Sequence, residues 1–325
     1  MKALLCREYG PVDRLKVEEV PSPRPGPDQV VVEVKASSLN FPDALLVQGL
    51  YQVKPPLPFS PGMELAGVIK EVGSAVVGLG VGDRVLAFPA RGGFAQQCLV
   101  SSDRIAPLPS QMDFETGSAL IVTYCTSLHA LKDRGQLQPG ETLVVLGAAG
   151  GVGTAAIEVG KAMGAKVIAA ASSEEKLAFC RTLGADETIN YEEADLRQRI
   201  LDLTAGRGGD VVYDPVGGAY TEAALRATAW GGRLLVIGFT SGAIPQVKLN
   251  PVLLKERSVI GVYWGDWAAR DPDGQRRNVE QLGAWFAKGK IKPAVSERIS
   301  LAEVPAAMMR LLQRKVKGKI VVVPT

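Results

Sequence analysis

The chain has 325 residues, which is enough for about two domains of ordinary size. Hydrophobic residues make up 46% and charged residues 22%, proportions that are ordinary for a globular protein and exclude global disorder or a coiled coil. The 37 basic and 34 acidic side chains give a formal net charge of +3, too small an excess to indicate binding to nucleic acid or to an anionic membrane surface.

No segment is predicted to span a membrane or to direct secretion. The longest charge-free apolar run, residues 142–157, is shorter than the ~20 residues that a span requires, and Arg7 and Glu8 interrupt the first apolar run. The four cysteines are far apart in the sequence, which favours reduced thiols and a cytoplasmic protein over a disulfide framework. The single histidine, His129, excludes any mechanism or metal site that needs several histidines.

The chain up to about residue 110 has the pattern of a small β domain. Residues 29–38 alternate and are rich in β-branched side chains, which predicts a strand after the proline-rich segment that precedes them. Two further short strands are predicted at residues 67–73 and 83–88. Short strands with turn signals between them indicate a compact, barrel-like β domain.

From about Met112 onward, apolar strand patterns alternate with helical patterns. Strands joined by helices form a parallel sheet that is covered on both faces, so this part is predicted to be a doubly wound α/β domain. The chain is then predicted to end with two amphipathic helices and a closing strand. The predicted strands are residues 141–147, 166–172, 187–190, 210–218, 233–239, 258–264 and 318–324, and the predicted helices are residues 115–133, 152–165, 174–185, 274–291 and 302–315.

A glycine-rich turn joins the first strand of the α/β series to the helix that follows, with the sequence GAAGGVG at residues 147–153. Glycines allow the backbone to approach a pyrophosphate closely, and the helix N-terminus offers N–H groups to it. We therefore predict a dinucleotide site at Ala149, Gly150, Gly151, Val152 and Gly153. The alternative is a tight strand–helix turn that binds no ligand.

The end of the next strand indicates which dinucleotide is bound. A site for NAD usually has an Asp or Glu there, about 20 residues after the glycines, to bind the ribose hydroxyls. This strand instead ends in Ser172 and Ser173, Lys176 follows closely, and Tyr191 comes after the third strand. Hydroxyls and a cation accept a 2′-phosphate, so the predicted cofactor is NADPH; the alternative is that Lys176 only faces solvent.

Two later strand ends supply further candidates for the cofactor site. Gly238, Phe239 and Thr240 end one strand of the series, where α/β sheets bind their ligands. Tyr263 and Trp264 end the next strand, and we expect them to line the same site.

Several segments together resemble the medium-chain dehydrogenase/reductase superfamily and, more narrowly, its zinc-free quinone oxidoreductases, which use NADPH. These segments are SSLNFPDALLVQGLY, PFSPGMELAGVIKEVG, GVGDRV, TYCTSLHAL, GAAGGVG and ASSEEKLAFCRTLGADETINY, and the resemblance covers essentially the whole chain. The resemblance implies a β-rich GroES-like catalytic domain formed by residues 1–120 and 257–325, and a Rossmann domain formed by residues 121–256. It also implies that nicotinamide and substrate bind in the cleft between the two.

The residues at the family's zinc positions predict a protein without metal. Zinc members have a Cys where this chain has Asn40, and a His where Met63 precedes Glu64. Amide and thioether groups are poor ligands for zinc, which prefers thiolate, imidazole or carboxylate. The four-cysteine structural lobe is also missing, because Cys98 stands alone in that region.

The resemblance implies roles for three further residues of the catalytic site. Asn40 and Tyr51 would lie in the substrate cleft, Asn40 to hydrogen-bond a carbonyl or the cofactor ribose and Tyr51 to hydrogen-bond or stack on a flat ring. Thr126 matches a threonine that lies near the nicotinamide. The alternatives are a turn residue for Asn40 and a packing residue for Tyr51.

A basic residue near the C-terminus is expected to help hold the 2′-phosphate. Arg314 matches this residue of the family, while Lys317 and Lys319 lie beside it in the sequence and leave the choice of cation open. The alternative for all three is a solvated basic face.

These residues predict an NADPH-dependent oxidoreductase that transfers a hydride to quinones or related α,β-unsaturated carbonyl compounds without zinc. An enoyl-thioester reductase and a non-catalytic NADPH-binding protein are the alternatives. The predicted partners are a small-molecule acceptor and a second copy of the chain, with no nucleic acid and no membrane. The homodimer is expected to form at residues 258–264, where an apolar strand lies at the sheet edge.

Overall fold

The structure is a computed structural model that describes all 325 residues. The chain forms two compact units: unit 1 comprises Met1–Val122 and Pro293–Thr325, and unit 2 comprises Thr123–Lys292. The second boundary differs from the predicted return to the first domain at residue 257. The reason is that residues 258–261 form a strand of the sheet in unit 2, and the helices that follow this strand remain in the same unit.

The elements follow the predicted change from a β-rich to an alternating pattern. The first part contains β1 (Lys2–Leu5), β2 (Lys16–Glu19), β3 (Gln29–Ser38), α1 (Phe41–Val47), β4 (Leu65–Val72), β5 (Arg84–Ala87), β6 (Gln97–Ser101), β7 (Ile105–Pro107) and α2 (Phe114–Ser118). The middle part contains α3 (Ile121–Leu128), β8 (Thr142–Leu146), α4 (Gly151–Ala162), β9 (Lys166–Ala171), α5 (Glu174–Thr182), β10 (Glu187–Asn190), α6 (Leu196–Leu203), β11 (Gly209–Asp214), α7 (Ala219–Arg226), β12 (Thr228–Val236), α8 (Asn250–Leu253), β13 (Ser258–Gly261), α9 (Trp264–Arg270) and α10 (Pro272–Ala287). The last part contains β14 (Val295–Ile299), α11 (Val304–Leu312) and β15 (Lys319–Val322).

Unit 1 is built around the long strand β3. This strand pairs antiparallel with β4, β6 and β15, and the larger sheet of the unit has the order β14-β15-β3-β4-β5-β7. Alternate side chains of β3, among them Val30, Val32 and Val34, are buried in one apolar cluster with residues of β4 and β5. Burying each such side chain contributes roughly 1.5–3 kcal/mol. The pairing of β15 with β3 explains why the two ends of the chain belong to one unit.

Unit 2 contains a six-stranded sheet in which every neighbouring pair is parallel. The strand order is β10-β9-β8-β11-β12-β13. Numbered along the chain within this sheet, it is the 3-2-1-4-5-6 order of a Rossmann fold, whose ligands bind beyond the carboxyl ends of the strands where the order reverses. That point lies between β8 and β11, so a dinucleotide site is expected at the loops that follow these two strands.

Two predicted elements differ in detail from the structure. The helix predicted over residues 115–133 is divided into α2 and α3, and a π-helical turn follows at His129–Arg134. The strand predicted over residues 258–264 ends at Gly261, and α9 begins at Trp264. None of the helices is both long enough and apolar enough to cross a lipid bilayer.

Candidate functional site

The glycine-rich turn lies between β8 and α4, at the reversal of strand order in unit 2. Gly147 has a φ of +56°, in the left-handed region that favours glycine, and its carbonyl oxygen accepts a hydrogen bond from the N–H of Gly150. A Cβ on Gly153 would lie 2.5 Å from this same carbonyl oxygen, so the turn requires glycine there. Gly150 is the N-cap residue of α4, which places the first N–H groups of the helix beside the turn. All five predicted turn residues therefore lie together at an amide-rich helix N-terminus suited to phosphate.

The carboxyl end of β9 carries the residues predicted to select the dinucleotide. The Lys176 ammonium donates a hydrogen bond to Ser172 Oγ at 2.9 Å, and Ser173 caps α5 by accepting from the backbone N–H of Lys176. The nearest carboxylate in the sequence, Glu174, is exposed and forms an ion pair with Arg181 at 2.5 Å. A hydroxyl and an ammonium group thus meet at the strand end, a donor set that fits a phosphate monoester.

Tyr191 lies beside this strand end because its backbone N–H donates to Ala171 O, the last residue of β9. Its ring packs at a centroid distance of 4.5 Å against Tyr220 of α7. The backbone of Tyr191 is therefore held at the end of β9, directly before Ser172, and its ring is half-buried.

The residues after β12 form a loop that is fixed against the end of β11. Thr240 donates its N–H to Pro215 O at 3.0 Å, and Phe239 remains 37% exposed. The buried Asp214 organises the neighbouring loop, since one carboxylate oxygen accepts from the N–H groups of Val216 and Gly217. The other oxygen of Asp214 accepts from the Thr221 hydroxyl at 2.6 Å. Gly238, Phe239 and Thr240 lie beyond the carboxyl end of β12, in the region where this fold binds ligands.

The two adjacent aromatic residues that follow β13, Tyr263 and Trp264, have different surroundings. Trp264 is buried at the start of α9, and its indole N–H donates to Gln275 Oε1 at 2.8 Å. The Gln275 amide in turn donates to Cys125 Sγ at 3.4 Å, so Trp264 packs within unit 2. Tyr263 is 50% exposed. The expectation that both rings end a strand is wrong, because the strand stops at Gly261.

Thr126 is the residue of α3 that the fold leaves partly exposed. Its neighbours on both sides along the helix, Cys125 and Ser127, are fully buried. A partly exposed threonine in an otherwise buried helix is available to a ligand. His129, in contrast, is buried, stacks on Trp267 at 4.0 Å and contacts Asp133 Oδ2 at 3.0 Å, so its ring has a packing role within unit 2.

In unit 1, Asn40 belongs to a buried polar cluster that also contains Ser38, Glu64 and Lys319. The Asn40 amide nitrogen donates to Glu64 Oε1 at 2.8 Å, and its amide oxygen accepts from the Lys319 ammonium at 2.6 Å. Ser38 Oγ and the Lys319 ammonium also donate to Glu64 Oε1, at 2.5 and 3.1 Å. Asn40 is thus more than a turn residue at the start of α1, because three buried groups fix its side chain.

Asp43, one turn into α1, is a second buried carboxyl group close to this cluster. Its oxygens accept from the backbone N–H groups of Asn40 at 2.9 Å and Gly62 at 3.1 Å. Burial raises the pKa of Asp43 to about 7, although these N–H groups and the charge of Lys319 oppose the shift. The carboxyl group ties the start of α1 to the loop before β4 and so supports the position of Asn40.

Tyr51 lies in the loop after α1 and is half-buried. Apolar side chains on either side of it, Leu50 and Val53, are 69% and 53% exposed. The loop is anchored by Tyr9, whose hydroxyl donates to Pro55 O and whose ring packs against Gly49. Exposed apolar side chains thus lie on either side of Tyr51, together with the exposed polar residues Gln52 and Lys54.

The C-terminal cations differ sharply in their surroundings. Arg314 follows α11 in a left-handed conformation and is exposed, and Lys317 is half-buried. Lys319 is 2% exposed, and its ammonium is turned into the cluster around Glu64. Of the three cations that the sequence left open, Lys319 is therefore unsuited to hold a 2′-phosphate.

The residues at the family's zinc positions do not fit zinc. No group of three or more His, Cys, Asp or Glu side chains in the chain is arranged to hold a metal ion. The Asn40 side chain shares its cluster with a hydroxyl, one carboxylate and an ammonium, and the ammonium of Lys319 would repel a dication.

Several groups that organise these sites are not recognisable as functional from the sequence. In the sequence, Glu64 is only the neighbour of a zinc position, and Lys319 is only a candidate phosphate ligand. Asp43 and Asp214 were not singled out, although each is a carboxylate placed next to an apolar run. An acidic residue in an otherwise apolar segment is a signal that the sequence contains. The hydrogen-bond partners of Asp43 and Asp214 cannot be read from the sequence.

Comparisons with known proteins agree with the fold. One family model, described as an alcohol dehydrogenase GroES-like domain, matches residues 26–110, and another, described as a zinc-binding dehydrogenase, matches residues 151–285. The chain is 38% identical to the quinone oxidoreductase-like protein 2 homolog of Nematostella vectensis, with 99% of this chain and 88% of the relative covered. It is 34% identical to the quinone oxidoreductase of Pseudomonas aeruginosa, with 99% of both covered. The structure of Escherichia coli quinone oxidoreductase complexed with NADPH matches with a TM-score of 0.94 at 29% identity, with 100% of both chains covered.

Proposed function

Because the chain belongs to the quinone oxidoreductase family of medium-chain dehydrogenases/reductases, we propose that it reduces quinones and related α,β-unsaturated carbonyl compounds with NADPH and without zinc. The observation that carries this proposal is the contact between Lys176 and Ser172 at the end of β9, beyond the glycine-rich turn. A phosphate-binding pair at this point favours NADPH over NADH.

NADPH, when bound, supplies the hydride, and the protein contributes binding and orientation. The N–H groups at the start of α4 would bind the pyrophosphate, and Ser172, Ser173 and Lys176 would bind the 2′-phosphate. Tyr191 would pack beside the adenosine end, and the loop of Gly238, Phe239 and Thr240 would border the nicotinamide end. We assign Thr126 to the nicotinamide and Tyr51 to orientation of the acceptor. Both amide hydrogens of Asn40 are already donated within unit 1, so we assign Asn40 to a hydroxyl of the cofactor ribose.

The acceptor class follows from the side chains that are available for proton transfer. The single histidine is buried against Trp267, and the residues around Asn40 do not fit zinc, so neither an imidazole base nor a Lewis acid assists the loss of a proton from an alcohol. Proton transfer by a positioned side chain typically contributes about 10²–10⁴-fold to a rate. Acceptors that are stable as anions after reduction, such as quinones, need this contribution least.

The test is a comparison of kcat/KM for 1,4-benzoquinone, a 2-enone and a secondary alcohol, with NADPH or NADP⁺ as required. We expect the quinone to be fastest, the enone slower and the alcohol close to inactive, and we expect a strong chelator to leave the rates unchanged. Fast alcohol oxidation, or loss of activity with the chelator, contradicts the proposal. Absence of turnover with every acceptor, despite NADPH binding, would instead indicate a non-catalytic binding protein.

Two variants examine Tyr51 and Asn40 in the same assay. Tyr51→Phe keeps the ring and removes the hydroxyl, so we expect only a modest fall in quinone turnover, because proximity of hydride and acceptor remains. Asn40→Ala removes a side chain that is fixed in the buried cluster, so we expect the larger loss. Loss of nearly all quinone activity in Tyr51→Phe would make Tyr51 a proton donor.

A further inference from the structure

Lys319 is a buried cation surrounded by oxygen atoms of unit 1. Its ammonium donates to Asn40 Oδ1 at 2.6 Å, to Leu39 O at 3.0 Å and to Glu64 Oε1 at 3.1 Å. The side chains of Lys319 and Glu64 are 2% and 0% exposed. An ammonium group has three N–H donors, so these three oxygens use its full hydrogen-bonding capacity.

The Asn40 carboxamide has only one orientation that satisfies this cluster. Its nitrogen donates to Glu64 Oε1 at 2.8 Å and to Ser38 O at 3.2 Å, while its oxygen accepts from Lys319. If the amide were flipped, its NH₂ group would face the ammonium and its oxygen would face a carboxylate. Lys319 and Glu64 together therefore determine which end of the amide points in which direction.

Glu64 is equally constrained. Oε1 accepts from Ser38, Asn40 and Lys319, and Oε2 accepts from the backbone N–H of Val122 at 2.8 Å. Both N–H groups of the Asn40 amide and the Ser38 hydroxyl are thus used inside the cluster. Asn40 retains no hydrogen to donate to the carbonyl of an acceptor, and only a lone pair of Oδ1 remains for a ligand.

The surroundings of Glu64 do not fit a bound metal ion. The buried carboxylate of Glu64 is neutralised by an ammonium that the chain supplies itself, on a strand that pairs with β3 beside Ser38. The position is therefore occupied by a lysine rather than open to a metal ion.

We propose that Lys319 is a positioning residue, whose ammonium takes the place of a metal cation beside Glu64. It fixes the orientation of the Asn40 amide, so that the amide oxygen and not the nitrogen is available to a hydroxyl or other hydrogen-bond donor of the bound ligands. This inference rests on the proposed function for the role of Asn40. It goes beyond that function by assigning the residue that orients Asn40 and the polarity that Asn40 presents.

The test uses a variant in which both charges of the pair are removed, Lys319→Met with Glu64→Gln. Removing Lys319 alone leaves the buried carboxylate of Glu64 unpaired and threatens folding, whereas the double variant removes that carboxylate together with its ammonium partner. The matched control neutralises an exposed pair in the same unit, Lys35→Met with Glu33→Gln, whose charges lie 2.6 Å apart. We expect both double variants to fold, and only the variant at Lys319 and Glu64 to lose at least about tenfold in kcat/KM for benzoquinone.

A readout that does not depend on turnover is the NMR signal of the Asn40 side-chain amide in protein labelled selectively with ¹⁵N-asparagine. Asn40→Ala serves only to assign the signal. In the unaltered protein we expect two distinct Nδ2 proton resonances that exchange slowly with water, and in the Lys319/Glu64 double variant faster exchange and averaging of the two. The exposed control pair should leave the signal unchanged.

The outcomes separate this proposal from the proposed function. A folded Lys319/Glu64 double variant with unaltered amide signals and unaltered kcat/KM would refute the positioning role. Stoichiometric zinc in the unaltered protein by elemental analysis would refute the replacement of a metal by Lys319. If the unaltered protein reduces no quinone, the proposed function fails, yet the amide signals still decide whether Lys319 orients Asn40.

Discussion

At the scale of single residues, Lys176 is the side chain on which we expect the preference for NADPH to depend. Its ammonium meets Ser172 at the end of β9, where a carboxylate would bind the ribose of NAD. We predict that the unaltered protein binds NADPH at least about tenfold more tightly than NADH, and that Lys176→Glu narrows or reverses this ratio.

Fluorescence titration with both dinucleotides measures this ratio. Lys166→Glu is the matched control, because Lys166 is an exposed lysine at the opposite end of the same strand. This substitution should leave the ratio of NADPH affinity to NADH affinity unchanged. Equal affinity of the unaltered protein for NADPH and NADH would contradict the assignment.

Glu158 is a buried carboxyl group of α4 that makes stability depend on pH. Both of its oxygens accept from the backbone N–H of Lys292 at 3.2 Å, and the Tyr124 hydroxyl donates to one of them. Burial raises the pKa of Glu158 from its ordinary 4.5 to about 7, despite these donors. Between these pH values the folded state binds more protons than the unfolded state, so this group makes the free energy of unfolding fall as the pH rises, and its effect levels off above pH 7.

We therefore predict that Glu158→Gln stabilises the protein at pH 8 by roughly 1–3 kcal/mol and has little effect near pH 5. The substitution is nearly isosteric, and the Gln amide still offers an oxygen to Lys292 N–H and an NH₂ group to the Tyr124 oxygen. Urea unfolding of both proteins at the two pH values measures the difference. An identical pH dependence in the variant and the unaltered protein would show that Glu158 is already ionised at low pH.

At the scale of elements, the turn from β8 into α4 distinguishes a structural glycine from a ligand-binding one. A Cβ at Gly153 would lie 2.5 Å from Gly147 O, whereas a Cβ at Gly150 would find its nearest neighbour at 3.4 Å. We predict that Gly153→Ala lowers the free energy of unfolding by about 1–3 kcal/mol, because the backbone at Gly147 must move to make room for the added Cβ. We predict that Gly150→Ala leaves stability nearly unchanged but weakens NADPH binding about tenfold, because the backbone approaches the pyrophosphate there.

Thermal unfolding and NADPH titration of the two variants test the turn. If Gly150→Ala binds NADPH as well as the unaltered protein, the glycine-rich segment is a tight strand–helix connection and the phosphate site lies elsewhere.

At the scale of the whole molecule, β13 ends the sheet of unit 2 and has no further strand beside it. Val259 on this strand is 44% exposed, and an apolar edge strand invites pairing with another chain. We propose that two copies join along this edge through a two-fold axis, the commonest symmetry of homo-oligomers.

Light scattering at micromolar concentration should give the mass of a dimer. Val259→Lys should shift the mass towards that of a monomer, since a two-fold axis brings the two added charges together at the edge. Lys16 lies on an exposed strand of unit 1, so Lys16→Glu, another charge-altering surface change, should leave the mass unchanged. A monomeric unaltered protein would contradict the proposal.

The amino-acid sequence by itself determined those features whose signals are local. The apolar runs of β8, β9, β11 and β12 identify buried parallel strands, because both faces of such strands are covered. The glycines at 147–153 indicate a close backbone approach, and the serines and lysine after β9 lie within five residues of one another, so their meeting at one strand end was predictable. Local pattern does not determine two boundaries: β13 stops at Gly261 and unit 2 extends to Lys292, because pairing with β12 decides where this strand and its unit end.

Only the tertiary structure decided how the polar groups of unit 1 are paired. Lys319 and Glu64 are 255 positions apart in the chain, and they meet because β15 pairs antiparallel with β3 at Ser37 and Ser38. In the sequence, Lys319 is one of several C-terminal cations, and nothing local distinguishes it from Lys317 or Arg314. A buried lysine and a buried carboxylate are compatible with folding only when each neutralises the other. The long-range pairing of strands, which no local periodicity encodes, brings Lys319 and Glu64 into contact.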